Sequence, residues 1–300
     1  MKFIDEDAVR RLLQMKELIP AMAVALSDLS SKKAVQPVRM VLPVAEHKGF
    51  LGVMPAYNDA LGAKIVTFYP HNKNMHTHHG VIMLFEPETG KPIAVIDGRL
   101  ITEMRTAAAS AMATDLLARR DASVMAIIGS GVQAHSHLEA ISLVREIAEV
   151  RVWSPRNAQA FADTHDGVKV AKSPDAAVAG ADIVVVATSS ETPVLSGSWL
   201  SPGTHINAVG ANRPTWRELD DGALAASKIF VDSREAAVVE SGDIIAAGHI
   251  FAEIGEVVAG VRRGRESETE ITLFKSLGAA VEDIAAADLV YQKTSHAEVS

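Results

Sequence analysis

The chain has 300 residues, of which 48% are apolar and 22% charged, with a formal net charge of −8 and no cysteine. That length suits two domains with separate cores. The missing thiols exclude disulfides, thiolate metal sites and a cysteine nucleophile, and are compatible with a reducing cytoplasm. An acidic balance without a long basic stripe argues against nucleic acid, and no apolar run approaches the ~18–20 residues of a membrane span. The acidic start Met1-Lys2-Phe3-Ile4-Asp5-Glu6-Asp7 is unlike a signal peptide, so a cytoplasmic enzyme away from the membrane is expected.

In chain order, Asp5 opens a helix through about Ser30. The stretch from Val38 to Ile96 reads as strands at 38–44, 49–55, 62–68, 81–85 and 92–97, separated by turn material such as Glu86-Pro87-Glu88-Thr89-Gly90. An alanine-rich helix is expected from about Glu103 to Arg119, and Arg119-Arg120-Asp121 marks a domain boundary. Beyond it, strands at 124–128, 150–153, 168–171, 182–187, 204–209 and 228–232 alternate with helices, the pattern of a parallel, doubly wound sheet. A last helix from about Ser276 to Lys293 is expected to return to the first domain, with a frayed tail over 296–300. The predicted fold class is α/β: a mixed α+β first domain over 1–120, joined by the C-terminal helix of 276–300, and a Rossmann domain over 121–275.

The most informative motif is Gly129-Ser130-Gly131-Val132-Gln133-Ala134, directly after the apolar segment Val124–Ile128. A strand entering Gly-x-Gly-x-x-Ala and leaving as a helix is the setting that holds a dinucleotide pyrophosphate. Gly129 permits the turn, Gly131 admits phosphate close to the backbone, and Ala134 lets helix and strand pack. Helix amides and the positive helix end then face the anion. Past the second strand the chain reads Arg151-Val152-Trp153-Ser154-Pro155-Arg156-Asn157, with no acid to meet a ribose 2′-hydroxyl. Ser154 and Asn157 can donate hydrogen bonds and Arg156 supplies a planar cationic fork, which favours NADPH over NADH; a solvated surface arginine is the plainer reading.

Arg39, Lys64 and Arg105 are cations among apolar or small neighbours, without adjacent acids. Such charges are costly unless paired or facing a ligand. Arg105 and Thr106, in the first turn of the expected helix, suit an anion. Taken singly, each cation is better read as part of an internal salt bridge or as a snorkelling surface side chain, and only the trio suggests an anion site. His71, His76, His78 and His79 cluster in sequence, but no carboxylate stands at metal-ligand spacing, and no metal is expected.

Gln36-Pro37-Val38-Arg39, Leu51-Gly52-Val53-Met54-Pro55-Ala56-Tyr57, Lys64-Ile65-Val66-Thr67-Phe68-Tyr69, Arg105-Thr106-Ala107-Ala108, the glycine motif, His205-Ile206-Asn207-Ala208-Val209-Gly210, Trp216-Arg217-Glu218-Leu219-Asp220-Asp221 and Phe274-Lys275-Ser276-Leu277-Gly278 together resemble the ornithine cyclodeaminase/mu-crystallin family over nearly the whole chain. The match is nearest the mu-crystallin branch, which includes NADPH-dependent ketimine reductases. The resemblance implies a homodimer formed through the first domain and carboxylate contacts at Arg39, Lys64 and Arg105. It also implies a cofactor cradle at Gly129, Gly131, Val132 and Gln133. Further cofactor contacts are expected at His78, Arg105, Thr106, Thr188, Val209 and Ser276.

Two departures shape the expected activity. Cyclodeaminating members carry an acid just before the Met-Pro step and an aspartate after a later strand; here those places hold Gly52 and Asn212. Ornithine cyclisation needs groups that accept and redistribute protons, which neither residue can do. Reduction of a cyclic iminium needs the carboxylate held and the nicotinamide aligned. The expected activity is therefore NAD(P)H-dependent reduction of Δ1-pyrroline-2-carboxylate and Δ1-piperideine-2-carboxylate to L-proline and L-pipecolate. Lys64, Arg105 and Asn212 are the expected catalytic residues, and Arg39 is the further substrate contact. The alternatives are an alanine-dehydrogenase-like or ornithine cyclodeaminase activity, or a mu-crystallin-like ligand-binding role.

Overall fold

The computed structural model describes residues 1–296, so the expected tail lies, from residue 297 on, outside the described residues. The chain divides into two compact units, Met1–Arg105 with the segment from Gly278 on, and Thr106–Leu277.

The first unit contains β1 (Lys2–Ile4), α1 (Glu6–Leu12), α2 (Met15–Ser30), β2 (Met40–Val44), β3 (Gly49–Tyr57), β4 (Leu61–Phe68), β5 (His78–Phe85) and β6 (Pro92–Asp97). The single helix expected over 5–30 is two helices. Asp5 caps the first by accepting from Ala8 N at 2.8 Å, and Leu13 turns to extended geometry and ends it. The described strands form a six-stranded sheet in the order β1-β6-β5-β4-β3-β2, antiparallel except for the β1–β6 pair. Strand alternation gives it two unlike faces. Met54, Lys64, Ile82, Leu84 and Ile96 are buried, whereas Met40, Leu42, Ile65, Val81 and Phe3 on the other face are exposed.

The alanine-rich helix α3 spans Gly98–Leu117 and begins earlier than expected. Asp97 Oδ1 accepts from Arg99 N at 3.0 Å, and Gly98 fits where a Cβ would stand 3.1 Å from the Gly80 carbonyl carbon. Arg105 is therefore well inside the helix, and the first-turn anion argument does not apply to it. The division between the units falls within α3 at Arg105/Thr106, ahead of the expected boundary at 120/121. The later turns belong with the second unit because their polar groups bond there: Ser110 Oγ lies 2.9 Å from His137 Nε2, and Asn207 Nδ2 donates to Thr114 Oγ1 at 2.9 Å.

In the second unit follow β7 (Val124–Ile128), α4 (Val132–Ser142), β8 (Glu149–Trp153), α5 (Ala158–Ala162), β9 (Val168–Val170), α6 (Pro174–Val178), β10 (Ile183–Val186), β11 (His205–Ala208), α7 (Asp221–Ala226), β12 (Ser227–Val231), α8 (Arg234–Glu240), α9 (Gly242–Ala247), β13 (Ala252–Glu253), α10 (Ile254–Val258) and β14 (Ile271–Lys275). They build an eight-stranded parallel sheet, β13-β12-β14-β11-β10-β7-β8-β9. Strand order reverses between β7 and β10, the switch point at which doubly wound sheets open a crevice at their carboxyl ends. Val184, Val186, Ile206, Ile229 and Leu273 contribute to a single apolar core. The final helix α11 (Ala280–His296) belongs to the first unit, beginning at Ala280 rather than Ser276, and packs on α2, β3, β4 and β5. Among the described residues no helix is long and apolar enough to cross a membrane.

Candidate active site

In the first unit, β4 carries Lys64, α3 carries Arg105, the segment before β2 carries Arg39, and the start of α11 binds them together. Lys64 Nζ lies 2.6 Å from Asp283 Oδ2, and Arg105 Nε donates to Asp283 Oδ1 at 3.0 Å. Arg105 Nη1 donates to Glu282 Oε2 at 2.9 Å. Arg39 Nη2 donates to the Gly278 carbonyl at 2.9 Å. Gly278 has a positive φ of 81°, and a Cβ there would stand 2.4 Å from Arg105 Nη1, so only glycine fits against the guanidinium.

The expectation of cations without neighbouring acids is corrected here. The acids are absent locally but arrive from α11, 178 residues along the chain from Arg105. Lys64, Arg105, Glu282 and Asp283 are all buried. Burial pushes the Lys64 ammonium down to about 8, with Asp283 pulling upward and Arg105 and Arg39 adding to the depression. Burial also works against ionisation of Asp283, but Arg105 and Lys64 outweigh it and hold the carboxyl below its usual range. Lys64, Arg105 and the half-buried Arg39 thus surround Asp283, with Glu282 as a second acid on Arg105.

Gly52 lies opposite Val66 and Met54 opposite Lys64, so Gly52 shares the buried sheet face with Lys64. No carboxylate stands there, and a Cβ at 52 would approach Val66 Cγ1 to 3.2 Å. His78 stacks on Phe68 at 4.4 Å and is exposed. Among the described residues no group of three or more histidines and acids could hold a metal.

In the second unit the glycine turn sits at the switch point. Gly129 has a φ of 112°, and a Cβ there would lie 2.2 Å from Ala187 O, so this glycine is required by the fold alone. Gly131 is different: its φ of −87° suits any residue, and a Cβ would meet nothing within 4 Å. The open space beside it, at the start of α4, is where a phosphate can approach the backbone, and the first-turn amides of Val132 and Gln133 have no intrahelical acceptor. Gln133 Oε1 is buried without a hydrogen-bond partner among the described residues. These features fit a dinucleotide. Gly129 N donates to Trp153 O at 2.9 Å, which sets the half-buried Ser154 and the exposed Arg156 and Asn157 beside the turn.

Thr188 follows β10, Val209 and Asn212 follow β11, and Ser276 follows β14, all at carboxyl ends of adjacent strands. Sequence reasoning missed what joins them. Glu218 is fully buried; its Oε1 accepts from Thr188 N and Oγ1 at 2.8 and 2.7 Å, and its Oε2 from Gly210 N and Ala211 N at 2.7 and 3.0 Å. Lys275 Nζ lies 3.8 Å from Glu218 and 3.2 Å from Asp243. The sequence carried no signal for this, since Glu218 sits in the charged run Arg217-Glu218-Leu219-Asp220-Asp221, which reads as a solvated segment.

The doubly wound sheet with its glycine turn defines the Rossmann class of nucleotide-binding architectures. The chain belongs to the ornithine cyclodeaminase/mu-crystallin family, whose model matches residues 2–298. It is 47% identical to the mouse ketimine reductase mu-crystallin, over 97% of this chain and 96% of that protein. The structure of Thermococcus litoralis Δ1-pyrroline-2-carboxylate reductase in complex with NADH and L-proline is similar with a TM-score of 0.96 and 41% identity, covering 99% of this chain and 98% of that one. An archaeal alanine dehydrogenase dimer with bound NAD aligns with a TM-score of 0.94 and 36% identity, covering 99% and 97%.

Proposed function

We propose that the protein reduces cyclic ketimine carboxylates, Δ1-pyrroline-2-carboxylate and Δ1-piperideine-2-carboxylate, to L-proline and L-pipecolate with a nicotinamide cofactor. The observation that carries the reading is that Asp283 brings together two buried cations, Lys64 and Arg105, with the half-buried Arg39 acting on the same ammonium. Arg39 and Arg105 hold the carboxylate, and Lys64 pairs with it or with the imine region. Gly131, Val132 and Gln133 cradle the pyrophosphate, with Thr106, Thr188, Val209 and Ser276 toward the rest of the cofactor and His78 as a further contact. When bound, the dihydronicotinamide supplies a hydride to the imine carbon. The C=N electron pair moves onto nitrogen, so a substrate arriving as the iminium leaves as the neutral amine with no further proton. Asn212 offers a hydrogen bond to the ring nitrogen or the carboxylate but cannot relay protons. Arg156, with Ser154 and Asn157, favours NADPH.

We further propose a homodimer. Met40, Val53, Ile65 and Val81 lie side by side across four strands on the sheet face that α2 and α11 leave uncovered, and a second copy would bury this apolar stripe. The relative solved as a dimer supports this choice of partner.

The test is initial rates with both cyclic imines, with pyruvate plus ammonia, and with L-ornithine, each with the appropriate NADP or NAD form, and chiral identification of the product. L-Proline and L-pipecolate as the favoured products support the reading; faster pyruvate amination replaces it with the alanine-dehydrogenase alternative.

A further inference from the structure

One carboxylate serves two of the cations. Asp283 places Oδ2 on Lys64 and Oδ1 on Arg105 Nε, so the two side chains cannot turn independently. Glu282 is divided differently: Oε2 takes Arg105 Nη1, and Oε1 takes the Ala279 amide at 3.1 Å, closing the start of α11. Glu282 thus orients Arg105 and the helix end. Lys64 Nζ also lies 3.4 Å from Thr102 Oγ1, whose own proton goes to Gly98 O at 2.7 Å. The charged groups facing Lys64 are therefore Asp283 and Glu282 from α11, Arg105 from α3, and Arg39 from the segment before β2.

A buried ammonium between two guanidinium groups is unstable as a cation. Desolvation and like charge both favour loss of its proton, and one group opposes them at hydrogen-bond distance. A neutral Lys64 would keep its length but lose the charge-assisted hydrogen bond to a substrate carboxylate. An uncharged residue in place of Asp283 would also free Arg105 from the geometry that presents its remaining nitrogen.

We propose that Asp283 is a positioning residue for the reduction: without touching substrate, it fixes Lys64 and Arg105 in one shared orientation and keeps Lys64 an ammonium. This rests on the carboxylate-site reading given above. Asp283 accordingly sets the charge state of Lys64 directly, whereas Glu282 acts mainly on Arg105.

The experiment measures the inhibition constant of furan-2-carboxylate against pH. Its ring oxygen does not titrate and its acid group is ionised throughout, so the profile reports the protein. In the wild type, inhibition should weaken above pH about 8 as Lys64 loses its proton. In Asp283→Asn the break should move at least about one pH unit lower, weakening inhibition at least about twofold at pH 7 and about fivefold at pH 8. Glu282→Gln should move the break clearly less than Asp283→Asn does. Dinucleotide binding, followed by dihydronicotinamide fluorescence, establishes that each variant is folded. Should Asp283→Asn fail to fold, ζ-nitrogen NMR of the wild type decides. One lysine signal, absent in Lys64→Arg, should titrate near 8, and a Lys64 titrating at the ordinary lysine value overturns the proposal. A break indifferent to Asp283, or moved equally by Glu282→Gln, overturns it as well. If furan-2-carboxylate does not bind the wild type at all, the carboxylate site itself fails and the proposal goes with it.

Discussion

Glu218 accepts both the backbone amide and the hydroxyl of Thr188, while its second oxygen takes the amides of Gly210 and Ala211. One buried carboxylate thereby ties the carboxyl ends of β10 and β11, where the proposed cofactor contacts lie. Burial raises its pKa, with Lys275 and the Thr188 hydrogen bonds pulling the other way. Glu218→Gln puts an amide NH2 where two donors now meet an acceptor, a loss of about 1–3 kcal/mol. Thermal unfolding should shift down by several degrees, and the KM for the dinucleotide should rise about tenfold, more than the KM for the imine. Equal effects on both KM values would mean that Glu218 supports the fold without shaping the cofactor site.

Arg156 is exposed at the end of β8, next to the glycine turn. Arg156→Ala should raise the KM for NADPH by about tenfold, the loss of one charge-assisted hydrogen bond of ~1.5–3 kcal/mol, with little change for NADH. Steady-state kinetics with the two cofactors decides; equal losses would leave Arg156 as a solvated surface residue and the NADPH preference unsupported.

The family resemblance puts Gly52 and Asn212 at the places where cyclodeaminating members are expected to carry acids. With NAD⁺ or NADP⁺, L-ornithine should yield no proline or ammonia above background, and Asn212→Asp alone should not create the activity because position 52 still lacks a carboxylate. Adding that acid is obstructed locally, since Gly52→Glu would push a Cβ to 3.2 Å from Val66. The same Asn212→Asp change should slow ketimine reduction at neutral pH, through a repulsion of about 1–4 kcal/mol if the charges stand ~4 Å apart.

The uncovered face of the six-stranded sheet predicts the oligomeric state. Ile65 is 40% exposed in the centre of the stripe, flanked by Val53 and Val81 in register. Ile65→Glu would place a charge in a dimer core while remaining solvated in the monomer, so light scattering should show dimer giving way to monomer with secondary structure intact. A wild-type monomer at micromolar concentration would remove the proposal.

The legible part of this fold was its periodic part. Val124–Ile128, the glycine motif and the alternating apolar segments after it announced the parallel sheet because each strand is a short buried apolar run. β14 escaped notice because Ile271–Lys275 includes Thr272 and Lys275, polar side chains that only tertiary partners make tolerable. The helix expected from Asp5 to Ser30 was read through the Leu13–Gln14 break, where no glycine or proline marks the turn. Arg39, Lys64 and Arg105 were visible as costly charges, yet Glu282 and Asp283, inside the helix expected from about Ser276, had no local cation to mark them as partners. Their flanks offered a clue: Ala280, Val281, Ile284 and Ala287 are all buried, so these acids lie on an apolar surface that must bring them cations. The same pairing limits simple mutagenesis. Replacing Arg105 by Met leaves two buried acids short of a partner, at a cost of about 3–5 kcal/mol of stability.

The central claim is best tested on the unaltered protein, by comparing kcat/KM for Δ1-pyrroline-2-carboxylate and for its methyl ester with the same reduced cofactor. The acid should be reduced to L-proline, and the ester, which keeps the imine but brings no charge to Arg39, Lys64 and Arg105, should react at least about a hundredfold less efficiently, on the order of 3 kcal/mol. An ester reduced as well as the acid would contradict the account.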